Sequence, residues 1–242
     1  MKIVGIIPAR FASTRFPGKP LVDIGGKTMI RRVYEQALKA KTLTDVIVAT
    51  DDERIFNEVQ SFGGKAIMTN PNHQNGTGRC AEVAAQLDAN VVINIQGDEP
   101  FIQPEQIDLL ATTFTNNLYN TQIATLIKEH ALDEVIKNTS RIKVVVNNKL
   151  EALYFSRALI PFTRDFNKPS GTTYYKHIGI YGFRKDVLLE VVKLPPSSLE
   201  LAESLEQLRW LENGYKIQCA LTTHESVSVD EPGDLEGLSF PT

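Results

Sequence analysis

Residues 2–20 read KIVGIIPARFASTRFPGKP, an apolar run that gives way to a basic loop. The β-branched run from Lys2 to Pro8 predicts a buried strand. The loop that follows it holds three cations, Arg10, Arg15 and Lys19. Ligands of open α/β sheets bind at the carboxyl ends of the strands, so this loop lies where a site is expected. Its charges suit a polyphosphate, and the alternative is a solvated basic loop.

The N-terminal half alternates strand and helix periodicities. Strands are predicted over Asp45–Thr50, Lys65–Thr69 and Asn90–Gln96, and helices from Thr28, over Glu53–Phe62, around Cys80–Leu87 and over Pro104–Asn117. Repeated β-α units predict a parallel sheet with helices on both faces.

The second half is less regular. Strands are predicted over Arg141–Asn147, Leu153–Ser156, Lys176–Arg184 and Tyr215–Thr222, and a long helix from about Glu200 to Asn213. Short spacings between some of these strands predict antiparallel pieces. We expect one domain over residues 1–242 with an elaboration at about 150–214.

Composition narrows the class of protein. The 242 residues include 26 basic and 29 acidic ones, and 26 − 29 = −3, so duplex nucleic acid is a poor partner. No apolar run approaches the roughly 18 residues of a membrane span. No signal peptide is evident before the first strand, so we expect a cytoplasmic protein without membrane insertion. Cys80 and Cys219 are too few for a disulfide framework or a zinc site.

Acidic residues end the fourth predicted strand, in the segment Gln96-Gly97-Asp98-Glu99-Pro100. Mg²⁺ takes one or two carboxylates plus substrate phosphates, so Asp98 is a candidate ligand. The alternative is an ordinary acidic helix start. Neither GxGxxG nor GxxxxGK[ST] follows a predicted strand, which disfavours hydride-transfer enzymes and P-loop ATPases.

Two more polar segments could serve a ligand. Residues 73–79, HQNGTGR, offer donors before a helix for a base or a phosphate, or form a capped turn. Residues 230–234, DEPGD, offer a second carboxylate for a metal or another capping turn. Several single polar residues could line a site, but taken alone each is better explained as a structural or solvent-exposed side chain, namely Arg157, His177, Tyr181, Glu206, Gln207 and Arg209.

The blocks together carry a family resemblance. In chain order they are PAR-x-x-S-x-R-x-PGKPL, VATDD, NGT-x-R, NIQGDEP, ALYFSR-x-x-IP, HIGIYGFR, LEQLR and VD-x-P-x-DLE. This ordered set resembles the 3-deoxy-manno-octulosonate (Kdo) cytidylyltransferases over about Lys2 to Glu236. The blocks ALYFSR, HIGIYGFR and LEQLR are more particular to the Kdo enzymes than to other sugar cytidylyltransferases.

The resemblance implies an α/β, three-layer, Rossmann-like nucleotidyltransferase fold of the glycosyltransferase-A type, with a mostly parallel sheet and a small antiparallel elaboration. It implies transfer of CMP from CTP to Kdo, with release of pyrophosphate, as a step toward lipopolysaccharide. Mg²⁺ dependence and a homodimer are implied as well, with the 150–214 elaboration serving the sugar and the dimer. The alternatives are another acid sugar, 8-amino-Kdo or a sialic-type acid, or a catalytically silent nucleotide-binding protein.

Family roles transfer where residues match. The implied catalytic residues are Arg10, Lys19, Asp98 and Asp230, and the implied Mg²⁺ ligands are Asp98 and Asp230. The implied nucleotide-binding residues are Pro8, Ala9, Arg10, Ser13, Arg15, Lys19, Thr77 and Gln96. The implied sugar-binding residues are Arg157, His177, Tyr181, Glu206 and Gln207. The chain departs from the family at Gly78, where an acidic residue is common, and we expect a looser helix start there.

Overall fold

One nine-stranded sheet organises the residues described by the computed structural model, which are 1–12, 16–131, 138–164, 172–225, 228–229 and 231–235. The strands are β1 (Ile3–Ala9), β2 (Asp45–Thr50), β3 (Ala66–Met68), β4 (Val91–Asn94), β5 (Ile123–His130), β6 (Lys143–Val146), β7 (Ala152–Ser156), β8 (Tyr174–Arg184) and β9 (Ile217–Leu221). The helices are α1 (Met29–Ala37), α2 (Glu53–Ser61), α3 (Gly76–Ala85), α4 (Pro104–Asn117), α5 (Lys185–Val191), α6 (Ser198–Glu203) and α7 (Gln207–Glu212), with short 3₁₀ turns at Lys19–Leu21 and Pro232–Leu235.

The sheet joins a parallel half to an antiparallel part. Its main order is β3-β2-β1-β4-β8-β5-β9, and β6 and β7 extend it beside β8. The first four strands in this order run parallel, as the β-α repeat predicts. Strand β8 runs antiparallel to β4, β5 and β6, and β9 runs parallel to β5. The predicted mixed α/β class with an antiparallel elaboration is confirmed.

Helices cover both faces of the sheet, and each face has its own core. On one face α1, α2 and α4 bury Ile30, Ile55 and Leu110 against the strands. On the other face α3, α5 and α7 bury residues such as Leu188 and Trp210. The predicted helical faces therefore point inward, as their periodicity requires. Whether the chain forms one domain over residues 1–242 stays a prediction.

The long helix predicted over Glu200–Asn213 is wrong. The helix is interrupted at Ser204, whose backbone is left-handed (φ 52°, ψ 50°). Helix α6 therefore ends at Glu203, and α7 begins at Gln207. Arg209 then reaches back across the break, and its Nε lies 2.7 Å from the Glu200 carboxylate. The break turns Glu206 toward α3, with consequences for the site described below.

Two elements escaped the sequence prediction. Strand β5 is buried from Ile123 to Ile127 and forms the pairing partner of both β8 and β9. Helix α5 follows β8 without an intervening loop, starting at Lys185. Both lie where the β-α alternation of the first half no longer holds, so no repeat indicated them.

Close packing at Gly182 yields a first test of the fold. An added Cβ there would lie 2.5 Å from Cε2 of Phe114 and 3.1 Å from Cδ1 of Ile93, both fully buried. We expect Gly182→Ala to lower the free energy of unfolding by about 1–3 kcal/mol, measured by urea denaturation, because this core has no room for a methyl group. Gly179 on the same strand has nothing within 4 Å of an added Cβ. Gly179→Ala is the matched control, and its stability should change by less than about 0.5 kcal/mol. Equal stability of the two variants would contradict the packing.

Candidate active site

A cleft of about 330 Å³ opens where β1 and β4 end. The parallel register brings these two strands side by side, with Ile6 opposite Asn94. The segments that follow both strands therefore meet at one edge of the sheet, as expected for an α/β ligand site. The cleft is lined by Pro8, Ala9, Arg10, Lys19, Pro20, His73, Gln74, Asn75, Gly76, Arg79, Gln96, Gly97 and Asp98.

The close approach of the two strand ends depends on a glycine. A Cβ on Gly97 would lie 2.8 Å from the carbonyl oxygen of Pro8. That contact is with backbone, which cannot move aside as a flexible side chain could. Gly97 therefore lets the segment carrying Asp98 lie directly against the end of β1.

Lys19 ties three parts of the chain together. Its ammonium donates to Oδ2 of Asp98 at 2.8 Å and to the carbonyl oxygen of Val229 at 2.9 Å. The Val229 N–H donates to the Asp98 carbonyl oxygen at 2.9 Å. The lysine side chain is only 14% exposed, so solvent screens this charge-assisted contact weakly. The structure thus brings the predicted residues Lys19 and Asp98 together at one point of the cleft.

The basic loop is anchored at both described ends. Gly18 has a left-handed backbone (φ 73°), and its N–H donates to the Phe11 carbonyl at 2.9 Å. The Phe11 ring lies under the Arg54 guanidinium, whose carbon is 3.3 Å from the ring centroid, a cation–π contact. Arg10 lines the cleft and is exposed. Ser13 and Arg15 lie outside the described residues, so their predicted roles stay predictions.

A second wall of the cleft is formed by residues 73–76, which lead into α3. Asn75 caps the helix, since its side chain accepts from the Gly78 N–H at 2.9 Å. A Cβ at Gly78 would lie 3.1 Å from Nδ1 of His73 and 3.3 Å from Oδ1 of Asn75. Gly78 therefore leaves room for these two side chains, and α3 still begins at Gly76 with an intact cap.

Glu206 links the start of α3 to the C-terminal helices. Its carboxylate accepts from Nδ2 of Asn75 and from Oγ1 of Thr77, each at 2.7 Å. Burial raises the pKa of Glu206, and the hydrogen bond from Thr77 opposes that rise. The predicted nucleotide residue Thr77 and the predicted sugar residue Glu206 are thus in direct contact.

The remaining predicted sugar residues lie just after β7, on β8 and on α7. His177 is buried, its Nε2 lies 2.9 Å from Oγ1 of Thr125, and burial lowers its pKa to about 3. The imidazole is therefore neutral near pH 7. The Tyr181 ring lies 5.3 Å from that of His177 and 5.1 Å from that of Trp210. Gln207 is also buried, at the start of α7.

Arg157 and Gln96 are held by backbone carbonyls. Arg157, at the end of β7, donates from Nε to the Glu203 carbonyl at 2.8 Å. Gln96 donates from Nε2 to the Gly179 carbonyl at 3.1 Å, which connects the cleft to β8. Asp230 lies outside the described residues, although its neighbour Val229 is bonded to the Asp98 segment.

Residues that sequence reasoning missed support the predicted ones. Glu203 accepts from the Arg157 N–H at 3.0 Å, and Lys143 donates to the Arg157 carbonyl. Thr125 binds His177 from β5, the strand that was not predicted. Lys143 could have been singled out from the sequence, because a lysine next to the apolar residues Val144–Val146 is unusual in a buried strand.

Comparison with known proteins places the chain in a family. The model of a family described as cytidylyltransferase matches residues 4–217. A 3-deoxy-manno-octulosonate cytidylyltransferase of Bacteroides thetaiotaomicron is 55% identical over 98% of this chain and 96% of that relative. The enzyme of the same name from Parabacteroides distasonis is 52% identical over 99% of this chain and 98% of its own.

A solved structure agrees over the same length. It is a CMP:2-keto-3-deoxy-manno-octonic acid synthetase complexed with CTP, 45% identical, with a TM-score of 0.92. The match covers 98% of this chain and 96% of that one. These matches span nearly the whole chain, and the chain belongs to the 3-deoxy-manno-octulosonate cytidylyltransferase family.

Proposed function

We propose that the protein transfers CMP from CTP to Kdo, giving CMP-Kdo and pyrophosphate. The observation that carries this proposal is one cleft in which a cationic loop meets the carboxylate of Asp98, tied by Lys19. Relatives near 50% identity over nearly the whole chain carry the name of this activity. The product is an activated Kdo for lipopolysaccharide synthesis, and we place the reaction in the cytoplasm. None of the described helices is both long and apolar enough to span a membrane.

The reaction needs positioning and charge stabilisation rather than a protein nucleophile. The anomeric hydroxyl of the sugar attacks the α-phosphorus in line, and pyrophosphate leaves. Charge develops on phosphate oxygens, where fixed cations stabilise the transition state most. Arg10 and Lys19 line the cleft and supply that charge. Pro8, Ala9, Thr77 and Gln96 surround the nucleotide in this account.

The residues present fit a Mg²⁺ ion. Asp98 offers a hard carboxylate oxygen at the lip of the cleft, 30% exposed. Mg²⁺ at phosphate-transfer sites is held by one or two carboxylates and takes its other ligands from phosphates and water. Asp230 is the proposed second ligand, since it follows Val229, whose N–H bonds to the Asp98 carbonyl. A Mg²⁺ ion held by Asp98 and Asp230 would polarise the α-phosphate and would make the attacking hydroxyl more acidic.

Lys19 exchanges partners in this account. Without nucleotide its ammonium neutralises Asp98. The triphosphate offers that ammonium a denser negative charge, so Lys19 moves onto phosphate oxygens as CTP enters. The Asp98 carboxylate then becomes free to act as a ligand. The pair keeps both charges satisfied until the substrate arrives.

We place the sugar beside the cleft, toward β8 and α7, which Gln96 and Glu206 connect to the cleft segments. The Arg157 guanidinium pairs with the sugar carboxylate, a bidentate task that a lysine cannot copy. His177 is neutral, so it exchanges hydrogen bonds with hydroxyl groups without adding charge. Tyr181, Glu206 and Gln207 complete the pocket. Ser13 and Arg15 are proposed to support the phosphate loop.

Three large apolar side chains in the elaboration at about 150–214 are exposed. Leu153, Phe162 and Leu201 are 60%, 77% and 69% exposed. A second copy of the chain that covered these side chains would remove their apolar surface from water, which is favourable. They support the proposal that the protein is a homodimer through this region.

Metal removal tests the site directly. We expect excess chelator to abolish pyrophosphate release and added Mg²⁺ to restore it.

Asp98→Ala should lower kcat by about 10²–10³-fold, because the carboxylate acts on the transition state, while affinity for CTP falls far less. Asp88→Ala is the control, since that side chain is 87% exposed, forms an ion pair with Lys2 and does not line the cleft. Equal, small losses of turnover and affinity in Asp98→Ala would instead favour a nucleotide-binding protein without catalysis.

The choice of sugar is tested by a substrate panel. Pyrophosphate release should require both CTP and Kdo, and should be slow with UTP, 8-amino-Kdo or N-acetylneuraminate. Faster release with another acid sugar would contradict the Kdo assignment. The proposed roles of Arg157 and His177 in choosing the sugar would then be wrong, while the transfer of CMP would stand. Release with no pair of substrates would refute the proposed enzyme.

A further inference from the structure

A lysine is buried in the strand beside the proposed sugar pocket. Lys143 begins β6 and is 1% exposed. Its ammonium donates to the carbonyl oxygens of Arg141 at 2.7 Å, of Asn138 at 3.2 Å and of Arg157. All three acceptors are neutral backbone groups. Burial lowers the pKa of Lys143, and the neighbouring Glu203 carboxylate opposes that shift.

Glu203 also binds the segment Ser156–Arg157, through its side-chain carboxylate. One carboxylate oxygen accepts from Oγ of Ser156 at 2.5 Å, and the other accepts from the Arg157 N–H at 3.0 Å. The Glu203 carbonyl also accepts from Nε of Arg157 at 2.8 Å. Arg157 is therefore held at its N–H, its carbonyl and its guanidinium.

Placing the Lys143 ammonium at a buried strand position is energetically unfavourable. Burying a charge away from water is unfavourable unless hydrogen bonds compensate for it. Methionine has nearly the same length and would fill this space without that cost. What lysine adds is the set of three hydrogen bonds, one of them to Arg157, together with positive charge near the Arg157 guanidinium.

We infer that Lys143 is a positioning residue for sugar binding, which holds the Arg157 guanidinium where the carboxylate of the sugar acid docks. This inference rests on the role proposed above for Arg157. It concerns the sugar half of the site alone, because Lys143 does not line the nucleotide cleft.

The test compares Lys143→Met with Arg157→Met and with Lys149→Met, a control at the exposed turn after β6. We expect Lys143→Met to raise the KM for Kdo by about tenfold or more, with the KM for CTP within about twofold of wild type. Lys143→Arg, which keeps the charge, should recover part of the loss. The double variant Lys143→Met/Arg157→Met should be no worse for Kdo than Arg157→Met alone, since both changes act through one guanidinium.

Three results would overturn the inference. They are an unchanged KM for Kdo in Lys143→Met, an equal rise in both KM values, and additive losses in the double variant. Folding of Lys143→Met is checked by the rise in its melting temperature when CTP is added. If this rise is absent, Glu203→Gln is measured in its place and judged by the same three results.

The outcomes also separate this inference from the proposed function. An unchanged KM for Kdo in Arg157→Met would refute the carboxylate role of Arg157, and the inference with it, while turnover of Kdo would still stand. Loss of all Kdo-dependent turnover in wild type would refute the function itself.

Discussion

The ammonium of Lys19 sits between the Asp98 carboxylate and the Val229 carbonyl, and the cleft depends on this contact. It joins segments 79 and 210 residues away along the chain. Hydrogen bonds between charged groups are about twice as strong as neutral ones, so a single lysine can hold these loops together. Gly97 makes the contact geometrically possible, because any Cβ there would collide with Pro8.

A second contact joins the start of α3, proposed to bind the nucleotide, to α7, proposed to bind the sugar. Glu206 reaches Asn75 and Thr77 only because the chain breaks at Ser204 and restarts as α7. The same break leaves the Glu203 and Ser204 carbonyls available to Arg157. One irregular residue, Ser204, therefore arranges residues that we propose for both halves of the site. The cost of its left-handed backbone is about 1 kcal/mol, which the contacts on either side offset.

Periodicity predicted the parallel half of the sheet well, since each strand there is followed by an amphipathic helix. The position of the loop after β1 and of Asp98 after β4 followed from the same repeat. The break at Ser204 could not be predicted, because serine has no intrinsic preference for a left-handed backbone and tertiary contacts impose it. Strand β5 and helix α5 lie beyond the repeat. Ser13, Arg15 and Asp230 lie outside the described residues, and their roles rest on family resemblance.

The most direct test of the Lys19–Asp98 exchange is the affinity of nucleotide-free protein for Mn²⁺, a spectroscopic substitute for Mg²⁺ that prefers the same oxygen ligands. Electron paramagnetic resonance would compare wild type with Lys19→Met. If the lysine occupies the carboxylate until CTP arrives, Lys19→Met binds Mn²⁺ more tightly than wild type and CTP more weakly. Adding Asp98→Asn should remove the gain. Mn²⁺ binding that is unchanged or weaker in Lys19→Met would contradict the exchange.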